Sequence, residues 1–220
     1  MSFSDKVLQL KQDFDDVYEA SRKEVWKGIT NNGTRVQYSN GFYYWNLDYF
    51  YPCYDMQPVN AGYMFASTTN AIPIDLVERL EQCGVTLDFS QCTVMPRTFY
   101  SSDVSRIGTI DVRKSTALER TFASPYVRII DKIIVKAENT FSYTFESSRE
   151  LVEVRFEGEI GNNIDFSVCT KLSHDSLMSI INHLESKTSG TFTLTIGATN
   201  LAKLTDTEKA VATQKGWTIA

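Results

Sequence analysis

A Thr-Phe pair recurs along the chain at one fixed spacing, which leaves few folds open to it. Thr98-Phe99, Thr121-Phe122 and Thr144-Phe145 follow one another at intervals of 23 residues. Each pair opens a similar segment: Phe99-Tyr-Ser-Ser, Phe122-Ala-Ser-Pro and Phe145-Glu-Ser-Ser. A period of this length is typical of repeat proteins, in which a unit buries its apolar face only against its neighbours.

A short segment rich in β-branched residues follows each pair, as expected for one strand per repeat: Ile110-Asp-Val-Arg, Ile133-Ile-Val-Lys and Val154-Arg-Phe-Glu. Upstream, Leu87-Asp-Phe-Ser lies 23 residues before Ile110, and a degenerate earlier copy is visible at Met64-Phe-Ala-Ser followed by Ile72-Pro-Ile-Asp. We therefore predict an α/β fold, a leucine-rich-repeat-like solenoid with a parallel sheet and ~23-residue repeats. Its core ladder should contain Phe65, Phe99, Phe122 and Phe145. After Phe145 we expect the period to slip, with the strand about two residues early.

The last fifty residues predict alternating helices and strands. Ser173 caps a helix over Asp175–Glu185, and Thr205 with Glu208 forms a capping box for a second helix that runs to about Gln214. The strands are Phe192-Thr-Leu-Thr-Ile and Trp217-Thr-Ile-Ala. We expect these elements to continue the same sheet, with helices on its convex side, and to cap the solenoid predicted over residues 64–220.

Residues 4–30 predict one helix, which ends at Asn31-Asn-Gly33. Its apolar residues follow a 3-4 spacing, and those expected to form a seam are Val7, Leu10, Phe14 and Val17. One interpretation of region 1–32 is a short coiled coil that assembles or docks the protein, with a homotrimer as one outcome. The other is a capping helix packed on the first repeat, since Ser21 and Glu24 interrupt the seam.

Aromatic residues are concentrated between Tyr38 and Tyr63, where ten of the chain's 27 aromatic residues lie. Strand alternation cannot hide all ten on one face, so some should reach the surface. The residues expected to contact a sugar or a protein are Tyr43, Tyr44, Trp45, Tyr49 and Tyr51. The alternative is an aromatic-rich cap over residues 33–63 that seals the open end of the solenoid.

Charge and hydropathy exclude several classes of partner. A net charge of −5 gives no electrostatic footprint for a phosphate backbone, so we expect no nucleic acid. No stretch approaches the ~20 apolar residues of a membrane span, so we expect no membrane insertion. The N-terminus also lacks a basic segment followed by an apolar one, so we do not expect a cleaved secretory signal.

No residue pattern predicts a catalytic or metal site. His174 and His183 do not have the spacing of a metal-binding pair, and Ser173-His174-Asp175 is more simply a helix cap with a first-turn acid. Gly158 and Gly161 are too few for a phosphate loop and indicate a turn. Glu157 and Glu159 keep a glycosidase-like carboxylate pair open. We expect no catalytic residue, no metal and no cofactor.

Repeated polar residues and the cysteines favour structural roles. Asp88 and Asp111 occupy equivalent positions of the repeat, as do Ser90 and Arg113. Such residues usually satisfy backbone groups in turns, and a row of acidic ligand-binding groups is the alternative. The four cysteines contain no CxxC pair, and we expect buried free thiols at Cys53, Cys83, Cys92 and Cys169.

Longer segments make the chain resemble a known family. The pattern Thr-Phe-x-Ser-Ser followed by Ile-Asp-Val resembles the BspA-like class of bacterial leucine-rich repeats. Four C-terminal segments, and the front from Gly33-Thr-Arg to Pro58, resemble small repeat proteins encoded in Firmicutes prophages near tail genes. Those segments are Phe156-Glu-Gly-x-Ile-Gly-Asn-x-Ile-x-Phe, Leu177-Met-Ser-Ile-Ile-Asn, Gly197-Ala-Thr-Asn-Leu-Ala-Lys-Leu-Thr-Asp and Ala212-Thr-Gln-Lys-Gly-Trp-Thr.

This resemblance implies a non-enzymatic virion component of the tail or baseplate, made in the bacterial cytoplasm. Its implied partners are other tail subunits, a host surface protein or a host glycan. The alternative is a bacterial surface or secreted adhesin, since the wider BspA-like class contains adhesins. A glycan hydrolase is the third hypothesis, and two carboxylates ~5–10 Å apart in a cleft would support it.

Overall fold

The structure, a computed structural model, describes residues 3–31 and 33–220. It is a mixed α/β chain in which an N-terminal helix precedes parallel sheets. The helices are α1 Phe3–Thr30, α2 Leu76–Cys83, α3 His174–Asn182, α4 Gly197–Leu201 and α5 Asp206–Gln214. The strands are β1 Ile74–Asp75, β2 Val104–Asp111, β3 Ile129–Val135, β4 Glu153–Gly158, β5 Ile164–Asp165, β6 Phe192–Thr195 and β7 Trp217–Ile219. Met1, Ser2 and Asn32, which belong to the predicted region 1–32, lie outside the described residues.

Strands β1 to β4 form one parallel sheet in chain order. Ile110 pairs with Ile133, and Ile133 pairs with Phe156, so both steps of the register keep the 23-residue period. The slip predicted after Phe145 is wrong for this sheet. A bulge between Ile130 and Ile133 adjusts the register, and the partner of Ile133 is Phe156 rather than Val154.

Six phenylalanine rings stack through the core. The four predicted members are fully buried or nearly so, and consecutive ring centroids lie 5.4 Å apart for Phe65–Phe99, 6.2 Å for Phe99–Phe122 and 5.6 Å for Phe122–Phe145. The sequence analysis missed the two outer members. Phe42 stacks on Phe65 at 5.2 Å, and Phe166 stacks on Phe145 at 4.3 Å. The residues predicted as an aromatic cap thus contribute one ring to the stack.

Buried hydroxyl groups explain why threonine and serine accompany each phenylalanine. Thr121 Oγ1 donates to the carbonyl oxygen of Met95 (2.8 Å), and Thr144 Oγ1 donates to that of Leu118 (2.7 Å). Ser124 Oγ donates in the same way to Ser102, and Ser148 Oγ to Phe122. Each acceptor lies about one repeat earlier, so these bonds tie neighbouring repeats together and satisfy polar groups that water cannot reach.

The C-terminal strands form a second sheet, which corrects the expectation that they continue the first. Strands β5, β6 and β7 pair in parallel with one another and not with β4. Helix α3 lies at the free edge of β4 instead, where Ser176 Oγ and Ser179 Oγ accept from the backbone N–H groups of Val154 and Phe156 (both 3.0 Å). Because α3 occupies this edge, no further strand can join it.

The predicted C-terminal helices and strands are present, but α3 ends at Asn182 rather than at the predicted Glu185. Ser173 caps α3, and Thr205 with Glu208 forms the predicted capping box of α5. The short helix α4 was not predicted.

The backbone at position 158 requires glycine, since its φ is 89° and a Cβ there would lie 2.0 Å from the carbonyl oxygen of Val135.

Among residues 3–31 and 33–220, the contacts of α1 with the body of the protein lie near the C-terminal end of the helix. Trp26 is buried, and its ring lies 5.5 Å from that of Phe50 and 5.9 Å from that of Phe42. Arg22 Nη1 donates to the carbonyl oxygen of Tyr51 (3.3 Å). By contrast, every side chain from residue 4 to residue 18 is exposed. About 22 Å of helix therefore projects without cover, at 1.5 Å per residue.

Candidate functional site

The five predicted contact residues separate into three environments. Tyr43 and Tyr44 lie together, with ring centroids 4.0 Å apart, and Tyr44 is 68% exposed. Trp45 is half-buried and belongs to the core, since its ring lies 5.1 Å from Phe42. Tyr49 and Tyr51 lie beside α1. The structure therefore does not form one aromatic surface from these residues, and Trp45 is corrected to a packing residue.

Tyr49 and Tyr51 border a groove along α1. The groove has a volume of about 510 Å³, and its principal lining residues are Tyr18, Arg22, Val25, Trp26, Tyr49 and Tyr51. Tyr49 is 76% exposed. The guanidinium of Arg79 lies 4.1 Å above the ring of Tyr51, which holds that ring in place through a cation–π contact. The groove is mostly apolar because ring and valine side chains form its walls.

Tyr43 belongs to a second surface, which we call the tyrosine–arginine patch. The patch surrounds a cavity of about 560 Å³, and its principal residues are Tyr43, Tyr63, Arg97, Tyr100, Arg120 and Arg149. Glu146 and Ser147 complete the lining. A hydrogen bond with Tyr44 raises the pKa of the Tyr43 hydroxyl above its ordinary value. Both surfaces combine apolar ring faces with polar tips.

Ion pairs order the arginines of the patch. Arg97 Nη2 lies 3.3 Å from Glu119 Oε1, and Arg120 Nε lies 2.7 Å from Glu146 Oε2. Arg97 also donates to the hydroxyl of Tyr63 (2.5 Å), and its guanidinium lies 5.4 Å from the centre of that ring. The bond to Glu146 raises the pKa of Arg120. These contacts therefore fix the orientation of both guanidinium groups.

The sequence analysis missed the arginines, although a signal was present. Arg97, Arg120 and Tyr143 immediately precede the three Thr-Phe pairs, and Tyr63 precedes the degenerate copy at Met64. All four have a left-handed backbone, with φ between 50° and 57°. The position before each Thr-Phe pair therefore recurs on the same side of every repeat. Reading that position along the chain would have revealed the row.

A third cavity, of about 510 Å³, lies beside β5 and β6. Two of its polar side chains already have partners. Asn163 Oδ1 accepts from the Thr193 N–H (2.8 Å), and Asp165 Oδ1 accepts from the Ser167 N–H (2.7 Å). These bonds hold the chain's own backbone, so both oxygens are already used within the fold.

The candidates for catalysis have structural partners. Ser173 Oγ caps α3, and His174 Nε2 lies 2.9 Å from Glu208 Oε1, so Ser173, His174 and Asp175 do not form a relay. Lys132 Nζ lies 2.8 Å from Glu157 Oε2 and lowers the pKa of that carboxyl group. A general acid needs the opposite shift, so Glu157 is unsuited to that role.

The repeated aspartates bond to backbone groups in turns. Asp88 Oδ1 accepts from the Ser90 N–H (2.8 Å) and Asp111 Oδ1 from the Arg113 N–H (3.1 Å), which confirms the predicted role in turns.

All four cysteines are free thiols, but only Cys92 and Cys169 are buried. Burial raises the pKa of Cys169 to about 12. The expectation of burial is wrong for Cys53 and Cys83, which are partly exposed because they lie near α1 at the edge of the body.

Within residues 3–31 and 33–220, no group of His, Cys, Asp and Glu side chains is arranged to hold a metal ion. None of the helices described is long and apolar enough to cross a membrane. In comparisons with known proteins, no protein family, no curated protein and no solved structure matches the chain.

Proposed function

We propose that this protein is a non-enzymatic attachment protein of leucine-rich-repeat type. Helix α1 joins copies of it, or joins it to a neighbouring subunit, and the repeats present a rigid surface for binding. The setting proposed is the tail or baseplate of a phage or prophage virion, as the family resemblance implies. The partners are then a host surface protein or glycan and other tail subunits.

Hydrogen bonds between equivalent positions support the solenoid part of this proposal. The N–H of Phe65 donates to the carbonyl oxygen of Thr98, that of Phe99 to Thr121, and that of Phe122 to Thr144. The repeated phenylalanine positions thus bond in one direction along the chain, as neighbouring coils of a solenoid do. Stacking of the rings supports the same arrangement.

The exposed apolar seam of α1 is the observation that supports the proposal that this helix joins subunits. Val7, Leu10, Phe14 and Val17 are all more than half exposed, and Leu10 reaches 74%. At 3.6 residues per turn, Leu10 lies about 160° around the helix from Trp26, the residue that docks α1 on the body. The seam is therefore a separate apolar face. Isolated helices are marginal in water, so this length of α1 needs a partner to be stable.

A monomeric surface adhesin is the second candidate, and the exposed tyrosine–arginine patch favours it. Such a protein needs only the binding surface and not the seam. Oligomeric state in solution therefore distinguishes the two functions.

The test is absolute mass by light scattering on the full chain and on Leu10→Asp and Phe14→Asp. We expect the wild type to be an oligomer, with a trimer as the form most consistent with a tail, and both variants to be monomers. A charge on the seam must be desolvated on assembly, which opposes it. Leu8→Asp is the matched control, because Leu8 is similarly exposed (67%) but lies off the seam, and it should keep the wild-type mass.

A truncated chain gives a second test, but the deletion must end at Tyr18. Removing residues 1–30 would also delete Trp26 from the core and destabilise the body. A chain that lacks residues 1–18 should stay folded and become monomeric. A monomeric wild type, or equal masses for wild type and Leu10→Asp, would overturn the proposal that α1 joins copies of this chain and would favour the adhesin.

A further inference from the structure

We propose that the tyrosine–arginine patch binds a carboxylated saccharide. This inference deepens the proposed attachment function by naming the class of ligand. It rests on that function only for its biological setting, because binding can be measured without assembly.

The first support is a row of large side chains held in a strained backbone conformation. Tyr63, Arg97, Arg120 and Tyr143 all have positive φ, a region that side chains other than glycine enter at a free-energy cost. Glycine would fit each position without that cost. The chain instead has an aromatic or a guanidinium group at these four positions, whereas the equivalent position before Gly41-Phe42 is Asn40, with φ 56°. Strain of this kind collects at functional sites.

The second support is local charge. The patch and its ion pairs contain three arginines, and two carboxylates face them, Glu119 and Glu146. Arg149 is exposed, and its guanidinium forms no hydrogen bond or ion pair with any residue that the structure describes. The surface is thus cationic by one charge, on a chain whose net charge is −5.

The single unpaired guanidinium of the patch, that of Arg149, favours a carboxylate as the anion bound. A planar guanidinium binds a carboxylate through two parallel hydrogen bonds. One net positive charge matches one carboxylate better than a phosphate that approaches two negative charges at neutral pH. A nucleic acid would need a broader basic surface than this acidic chain offers.

The third support is the surrounding chemistry. Tyr43, Tyr63 and Tyr100 offer ring faces and hydroxyl groups around the cavity, and Ser147 adds another hydroxyl. A saccharide presents the complement, with apolar C–H faces and a rim of hydroxyl groups. Neighbouring parallel strands are ~4.8 Å apart, so the row from Tyr63 to Tyr143 extends over roughly 14 Å. That length accommodates an extended oligosaccharide.

The test is isothermal titration of the full chain with 3′-sialyllactose, a linear trisaccharide that contains a single carboxylate, and with its methyl ester, which has the same shape without the charge. We expect the acid to bind and the ester to bind at least about tenfold more weakly, as loss of a charge-assisted hydrogen-bonded pair implies. Arg149→Gln should weaken binding of the acid by a similar factor. Its side chain is exposed and unpaired among the described residues, so the fold should persist, which thermal melting checks.

Arg155→Gln is the matched control, since Arg155 is an exposed arginine of β4 that does not line the patch cavity and has no ion pair among the described residues, and this variant should bind as the wild type does. The monomeric Leu10→Asp variant should also bind one ligand per chain with unchanged affinity, which separates this proposal from the assembly proposal. No binding of the acid, equal affinity for the ester, or equal loss in Arg155→Gln would each overturn the proposal. Tighter binding of a glycerol phosphate oligomer would do so as well.

Discussion

At the scale of single residues, each position of the repeated segment has one physical task. Phenylalanine fills the core, threonine and serine hydroxyl groups bond to carbonyl groups of the preceding repeat, and the residue before each pair is placed on the surface. The four core phenylalanines could be predicted because a fixed period identifies equivalent positions. Phe42 could not, since nine other aromatic residues nearby hide the match between Gly41-Phe42 and Met64-Phe65.

We predict that Phe122→Ala lowers the free energy of unfolding by about 3–5 kcal/mol. Phe122 is fully buried between Phe99 and Phe145, so its removal leaves a cavity that rigid neighbouring rings cannot close. Urea denaturation followed by circular dichroism measures the change. Tyr126→Ala is the control, because Tyr126 is 45% exposed and should cost far less. Equal losses of unfolding free energy in the two variants would contradict the conclusion that Phe122 stabilises the fold through the stack of rings.

At the scale of elements, a helix replaces a strand where the repeats change character. Helix α3, which follows β5 in the chain, covers the free edge of β4, and its hydroxyl groups take the place of a partner strand's carbonyl groups. The sequence predicted α3 from its cap and its 3.6-residue periodicity. It did not predict the separation into two sheets, because strand pairing depends on which edge remains free, and periodicity contains no information on that.

We predict that the double change Ser176→Ala and Ser179→Ala destabilises the protein by about 1–3 kcal/mol for each amide left without an acceptor. Hydrogen exchange at the Val154 and Phe156 amides should accelerate relative to amides of β3. Ser186→Ala, a change at an exposed serine, is the control and should leave both measurements unchanged. Exchange of the two amides at wild-type rates in the double variant would show that α3 does not hold this edge through its hydroxyl groups.

At the scale of the whole molecule, charge is arranged in specific pairs on an acidic chain. Carboxyl groups of lowered pKa occur in the sheet, in a turn and in the α5 cap. The pKa of Glu157 is lowered by Lys132, that of Asp111 by Arg113, and that of Glu208 by Thr205 and then His174. Two of these contacts, Lys132–Glu157 and His174–Glu208, join distant parts of the chain, whereas Asp111–Arg113 is local, so acid should weaken both tertiary contacts and local structure.

We predict that stability to urea is steady from neutral pH down to roughly pH 5 and falls below about pH 4. A carboxyl group whose folded pKa is lowered stabilises the fold above its unfolded pKa. That contribution disappears as pH falls through the folded pKa. Glu208→Gln removes one such group and should flatten the decline, as urea midpoints measured across this range would show. A variant whose midpoints fall as steeply as those of the wild type would contradict the assignment to Glu208.

The sequence by itself determined the repeat, the four core phenylalanines, the N-terminal helix and the capped C-terminal helices. These features depend on local periodicity and capping, which any single chain displays. Only the tertiary structure decided that the aromatic run divides among a core, a groove and a patch, and that arginines distant in sequence line a common cavity. The physical reason is that a side chain's surroundings depend on which repeats become neighbours, and left-handed residues such as Arg97 and Arg120 turn their side chains to a surface that strand alternation does not predict.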